Sequence, residues 1–91
     1  MFIPKYTSHA KGRLNERDIS REIVEWIMLF GETIFSHGSI KYYIPKKDIK
    51  FLRNEIPNFE KIKKELCKVI VVADDDTVIT AMKKNKRILK S

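Results

Sequence analysis

The sequence predicts an α+β domain: a small antiparallel sheet with two N-terminal helices and a helical insertion between two hairpins, in the order ααββααββ. Three observations predict it. An apolar stripe at helical spacing runs from Ile23 to Phe30. Ile40, Tyr42 and Ile44 alternate with Lys41 and Tyr43 behind a His37-Gly38 turn. Two β-branched runs, Val69–Ala73 and Val78–Met82, are joined by three consecutive aspartates. With 91 residues the chain is expected to form one domain, residues 1–91.

Each element has a local reason. Ser8 is a candidate cap for the first helix, which has Ala10 and Leu14 as its core residues. Asp18-Ile19-Ser20 interrupts the helical run. Ser20 then caps the second helix through the N–H of Glu22 or Ile23, and Ile19 can meet Val24 as a hydrophobic staple. Ile23, Trp26, Ile27 and Phe30 form an apolar stripe, and Gly31 is expected to end the helix at positive φ. Thr33–Ser36 and Ile40–Ile44 make the first hairpin, which Pro45 ends because it has no N–H to donate.

Residues 46–66 read as two helical pieces. Ile49 and Leu52 serve the first, and Pro57 suits the first turn of the second. Phe59, Ile62 and Leu66 carry the apolar face of that second piece, with Lys61, Lys63 and Lys64 outward. Cys67 is expected to open the central strand as a small core residue. Val69–Ala73 suits a strand buried on both faces, Asp74-Asp75-Asp76 suits a turn, and Lys83–Ser91 forms a tail.

Composition narrows the function. The 19 Lys+Arg against 12 Asp+Glu leave a net charge of +7, which favours polyanionic partners. The excess is concentrated after residue 30, and residues 83–91 hold five basic side chains and no acid. The single cysteine excludes an internal disulfide. No apolar run approaches the length of a membrane span, and Met1–Ala10 has no secretory apolar segment, so a cytoplasmic protein without membrane contact is expected. His9 and His37 have no partner at ligand spacing, and the glycines are isolated. No metal, phosphate loop or cofactor is therefore expected.

The chemistry-bearing cluster is His9, Arg13 and Arg17, at i, i+4 and i+8 on the first helix. Arginine presents a planar fork of donors suited to phosphate oxygens, and histidine exchanges a proton near neutral pH. Metal-free cleavage of RNA needs a base for the 2′-hydroxyl, a cation for the pentavalent phosphate and an acid for the leaving oxygen. His9 suits base or acid, Arg13 the phosphate clamp, and Tyr43 or a C-terminal lysine a further donor. Tyr42 and Tyr43 can also stack bases. Lys41, Lys83, Lys84, Lys86 and Arg87 are candidate nucleic-acid contacts. Equally, Arg13 and Arg17 can simply pair with Glu16 and Asp18, or with Glu22 and Glu25, and Thr80 can be an ordinary strand former.

The stretch Ser8-His9-Ala10-Lys11-Gly12-Arg13-Leu14-Asn15-Glu16-Arg17-Asp18-Ile19-Ser20 resembles the S-x-H-A-x-x-R-x-x-x-R-x-I-S opening of the bacterial domain-of-unknown-function 4258 family. Here Ser8 and His9 are adjacent. Asp18 stands where a glycine is common, and aspartate also visits positive φ. Val71-Val72-Ala73-Asp74-Asp75-Asp76-Thr77-Val78-Ile79-Thr80 is similar to that family's closing hairpin, V-V-x-x-D-x-T-V-I-T. The resemblance implies a RelE-like toxin fold, RNA as substrate and an acidic antitoxin as a partner. It singles out His9, Arg13, Arg17 and Thr80 as matching the motif positions. The leading expectation is an RNA-directed protein acting as the metal-independent endoribonuclease toxin of a toxin–antitoxin pair. The alternative is a non-catalytic module that binds nucleic acid or an acidic partner protein through the Lys-rich insertion and tail.

Overall fold

The computed structural model describes residues 3–84. Its order is β1 (Lys5–Tyr6), α1 (Ser8–Glu16), α2 (Arg21–Phe30), β2 (Glu32–Ser36), β3 (Ser39–Tyr43), a 3-10 helix (Lys46–Leu52), α3 (Phe59–Lys68), β4 (Val69–Asp74) and β5 (Thr77–Lys83). The five strands form one sheet in the order β1-β5-β4-β3-β2. β1 runs parallel to β5, pairing Lys5 with Thr77 and Tyr6 with Val78, and the other neighbours are antiparallel. The sheet is therefore mixed, where a purely antiparallel one was expected. A two-residue strand carries no alternation from which it could be read.

Helices from both halves of the chain cover one face of the sheet. Ala10 and Leu14 of α1, Ile23, Val24 and Ile27 of α2, and Phe59 and Leu66 of α3 share one core with alternate residues of β4, Val69, Val71 and Ala73. Val78 and Ala81 of β5 join it. Alternation places Ile70, Val72, Thr80 and Met82 on the opposite face, where Ile70 is buried and the other three are half-buried. A bulge at Val72/Ala73 lets both Val78 and Ala81 face the core.

Several local expectations need correction. Thr7, not Ser8, caps α1, its hydroxyl accepting from Ala10 N–H at 3.0 Å. Gly31 has φ −78° and ψ 167°, an extended conformation open to any residue. Its need for glycine is steric: a Cβ there would lie 2.4 Å from the Ile27 carbonyl oxygen and 2.6 Å from that of Tyr43. The first insertion piece is a 3-10 helix with no buried residue. Pro57 precedes α3 instead of entering its first turn, and Asn58 at φ 59° occupies the cap position. Cys67 belongs to the last turn of α3 and is half-exposed, not the opening of a strand.

Other features follow the local chemistry. Ser20 Oγ accepts from Ile23 N–H at 3.2 Å, and Ile19 and Val24 are both buried. Asp18 sits at φ 55° and Asp75 at φ 60°. His37 and Gly38, at φ 51° and 79°, make the tight turn whose twist matches the β2–β3 ribbon.

Candidate functional site

Burial of Ala10 and Leu14 orients α1 and leaves His9, Arg13 and Arg17 along one flank. Thr7 N–H donates to the Val78 carbonyl at 3.1 Å at one end of this helix. At the other end Arg17 Nη1 donates to the Ala81 carbonyl at 2.8 Å. The helix therefore follows β5, and Arg17 at the end of its basic flank meets the stretch of that strand that β1 does not pair.

Within the flank, Arg13 Nε donates to His9 Nε2 at 3.3 Å, and Arg13 Nη1 meets Glu16 Oε1 at 3.1 Å. As an acceptor in this bond, Nε2 carries a lone pair, which leaves the neutral imidazole's proton on Nδ1. A guanidinium is thus held against a potential proton acceptor at the protein surface. One helical turn on, Arg17, Met82 and Lys83 line a groove of about 460 Å³. Lys83 also meets Glu65 across α3 and β5 at 3.6 Å.

The remaining candidates are distributed elsewhere. Lys41 and Thr80 both register with Val72, which makes the cross-strand row Lys41–Val72–Thr80 on the face of the sheet opposite the helical core. Thr80 is adjacent to core-facing Ala81, so its hydroxyl lies on the face opposite α1. Tyr43 is on β3, two strands from β5, a lateral separation of about 10 Å. Its hydroxyl donates to Glu32 Oε1 at 3.2 Å. Desolvation first, then the hydrogen bond and charge of Glu32 and the charge of Asp48, raise its phenol above the ordinary value. Arg17 and Lys83 thus come together, whereas Tyr43 and Thr80 do not join the His9–Arg13 pair. Lys86 and Arg87 lie outside the described residues.

Lys84 lines a different cleft, with Lys46, Lys63, Lys64 and Lys68. The sequence marks Lys63 and Lys64 only as outward residues, and the Lys-rich insertion and tail as the binding surface of a non-catalytic module, without joining these five side chains in one place. The available signal was the Lys64–Lys68 spacing of one helical turn. Among the described residues no three His, Cys, Asp or Glu side chains gather as a metal-ligand set, and no helix is long and apolar enough to cross a membrane.

Comparison with curated proteins and with solved structures gave no significant match. The profile of the family described as "Domain of unknown function (DUF4258)" matches residues 6–83, from β1 to the end of β5. Both the α1 flank and the β4–β5 hairpin fall inside that span, and the chain belongs to the DUF4258 family.

Proposed function

We propose that this chain is an RNA-directed protein that meets a sugar–phosphate backbone along the α1 flank and the adjoining edge of β5. The observation carrying this reading is the continuity of the flank: His9, Arg13 and Arg17 line one side of α1, and Arg17 reaches β5 beside Lys83. Arginine forks suit phosphate oxygens, and the net charge of +7 favours a polyanion.

The reaction this arrangement offers is transesterification. Once Arg13 Nε–H turns from His9 Nε2 to the phosphate, that nitrogen takes the 2′-hydroxyl proton, the 2′-oxygen bonds to phosphorus, and the bond from phosphorus to the 5′-oxygen breaks. Arg13 holds the developing phosphorane charge, and Lys83 or water protonates the leaving 5′-oxygen. To bind phosphate fully, Arg13 must exchange its exposed contact with Glu16, a weak surface pair. The wider reading, a RelE-like toxin restrained by an acidic antitoxin, rests on the resemblance of the two terminal motifs.

A second reading, a non-catalytic binding module, is favoured by the separation of Tyr43 and Thr80 from His9. Incubation of RNA with purified protein in EDTA decides between them. Cleavage by wild type that a His9→Ala, Arg13→Ala variant lacks supports the enzyme. Salt-sensitive binding without products supports the module. Absence of both cleavage and binding sinks the RNA reading.

A further inference from the structure

A second cationic feature lies away from the α1 flank. The 3-10 helix, α3 and the end of β5 enclose a cleft of about 610 Å³. Among the described residues five lysines line it, Lys46, Lys63, Lys64, Lys68 and Lys84, and no acidic side chain does. Lys63 is paired with Glu60 at 2.9 Å. The other four have no ion pair among the described residues. Lys84 is fixed at the mouth of α3 by its backbone N–H, which donates to the Lys68 carbonyl at 2.8 Å. Lys64 and Lys68 are one helical turn apart, about 6 Å along the axis.

The cleft also has an apolar component. Ile49 and Cys67 line it together with the lysines, whose stems add methylene surface. The charges of Lys84 and Lys46 reach the Cys67 thiol. Like-charged groups gathered around apolar surface without local counter-charge are matched by a ligand that is acidic at its edges and aliphatic at its centre.

We propose that this cleft binds an acidic peptide segment that places an aliphatic side chain against Ile49 and Cys67 while its carboxylates meet Lys46, Lys64, Lys68 and Lys84. Two features favour a peptide over a nucleic acid strand. Among the described residues no aromatic ring lines the cleft, whereas single-strand sites pair their cationic groove with stacking rings. Among the described residues no arginine lines it either, so the described lining offers lysine point charges and no bidentate phosphate fork. The proposal is independent of RNA cleavage at His9, and either can fail alone.

The test uses a fluorescein-labelled amphipathic Glu/Leu peptide, a Glu/Ser counterpart of equal charge, and oligo(U), with binding followed by anisotropy. The Glu/Leu peptide is expected to bind more tightly than the other two. The Lys64→Glu, Lys68→Glu variant weakens that binding by about ten-fold or more, while Lys11→Glu on α1 leaves it unchanged. Bound Glu/Leu peptide also slows alkylation of Cys67 by iodoacetamide. No binding of the peptide, equal weakening by Lys11→Glu, unhindered alkylation of Cys67 in the bound state, or tighter binding of oligo(U) through Lys64 and Lys68 overturns the proposal.

Discussion

Arg17 and Ala81, 64 positions apart in sequence, are joined by a 2.8 Å hydrogen bond from the guanidinium to the backbone carbonyl. The bond fastens the end of α1 to the stretch of β5 that β1 leaves unpaired. Arg17→Ala is therefore expected to cost about 1 kcal/mol, the usual worth of a partly exposed charge-assisted bond. Urea denaturation measures this. An Arg17→Ala variant with undiminished stability and lost RNA affinity would mean that the guanidinium serves phosphate alone.

Gly31 joins α2 to β2 where the backbone passes against both Ile27 and Tyr43. A Cβ at 2.4 Å and 2.6 Å from two backbone oxygens cannot be relieved by turning a side chain. Gly31→Ala should destabilise by about 2 kcal/mol or more. Gly12→Ala is the matched control: apart from the backbone of its own helix nothing lies within 4 Å of its Cβ position, and alanine in α1 should gain up to about 1 kcal/mol. Thermal unfolding of the two variants should shift in opposite directions.

α2 and the β2–β3 and β4–β5 hairpins were legible because their signals are local. The Ile23–Phe30 stripe, the Ser20 hydroxyl and the His37-Gly38 turn act within a few residues of themselves. β1 was not legible, since its existence depends on β5 some seventy positions away. Ile49 and Leu52 are three apart, which suits a 3-10 turn as well as an α-helix, so spacing could not separate the two. Leu66 and Val69 are both buried and flank the α3–β4 junction, which hid the point where helix gives way to strand and misplaced Cys67. The His9–Arg13–Arg17 flank follows from helical period alone. The lysine cleft joins residue 46 to residue 84 and exists only in tertiary structure.

Tyr6 has a buried hydroxyl with no hydrogen-bond partner among the described residues, and Arg21 lies 4.9 Å from its ring centre. Burial first, then the charge of Glu25, push its phenol from 10.0 up to about 12 against the opposing charge of Arg21. Below the unfolded value both states are protonated, and the contribution of Tyr6 to stability is fully present. Between pH 10 and about 12 only the unfolded state ionises, so stability falls as pH rises. Tyr6→Phe should remove that part of the alkaline decline and gain about 1 kcal/mol at neutral pH, because no buried hydroxyl is left unpaired. Denaturation midpoints of both proteins across the alkaline range check this. An equally steep decline in Tyr6→Phe would assign the loss to other groups.

Cys67 gives the cleft a chemical reporter. Burial raises its thiol above the ordinary value, while Lys84 and Lys46 pull it back down. The thiolate is the alkylated species, so the rate with iodoacetamide should rise only at alkaline pH. Lys84→Gln removes one of the two opposing charges. It should move the midpoint of the rate–pH profile higher still and slow alkylation at neutral pH. Lys11→Gln, on α1, should leave the profile in place. A midpoint that stays put or falls in Lys84→Gln would mean that the Lys84 ammonium points away from the thiol, and the cleft would then lose one of its cations.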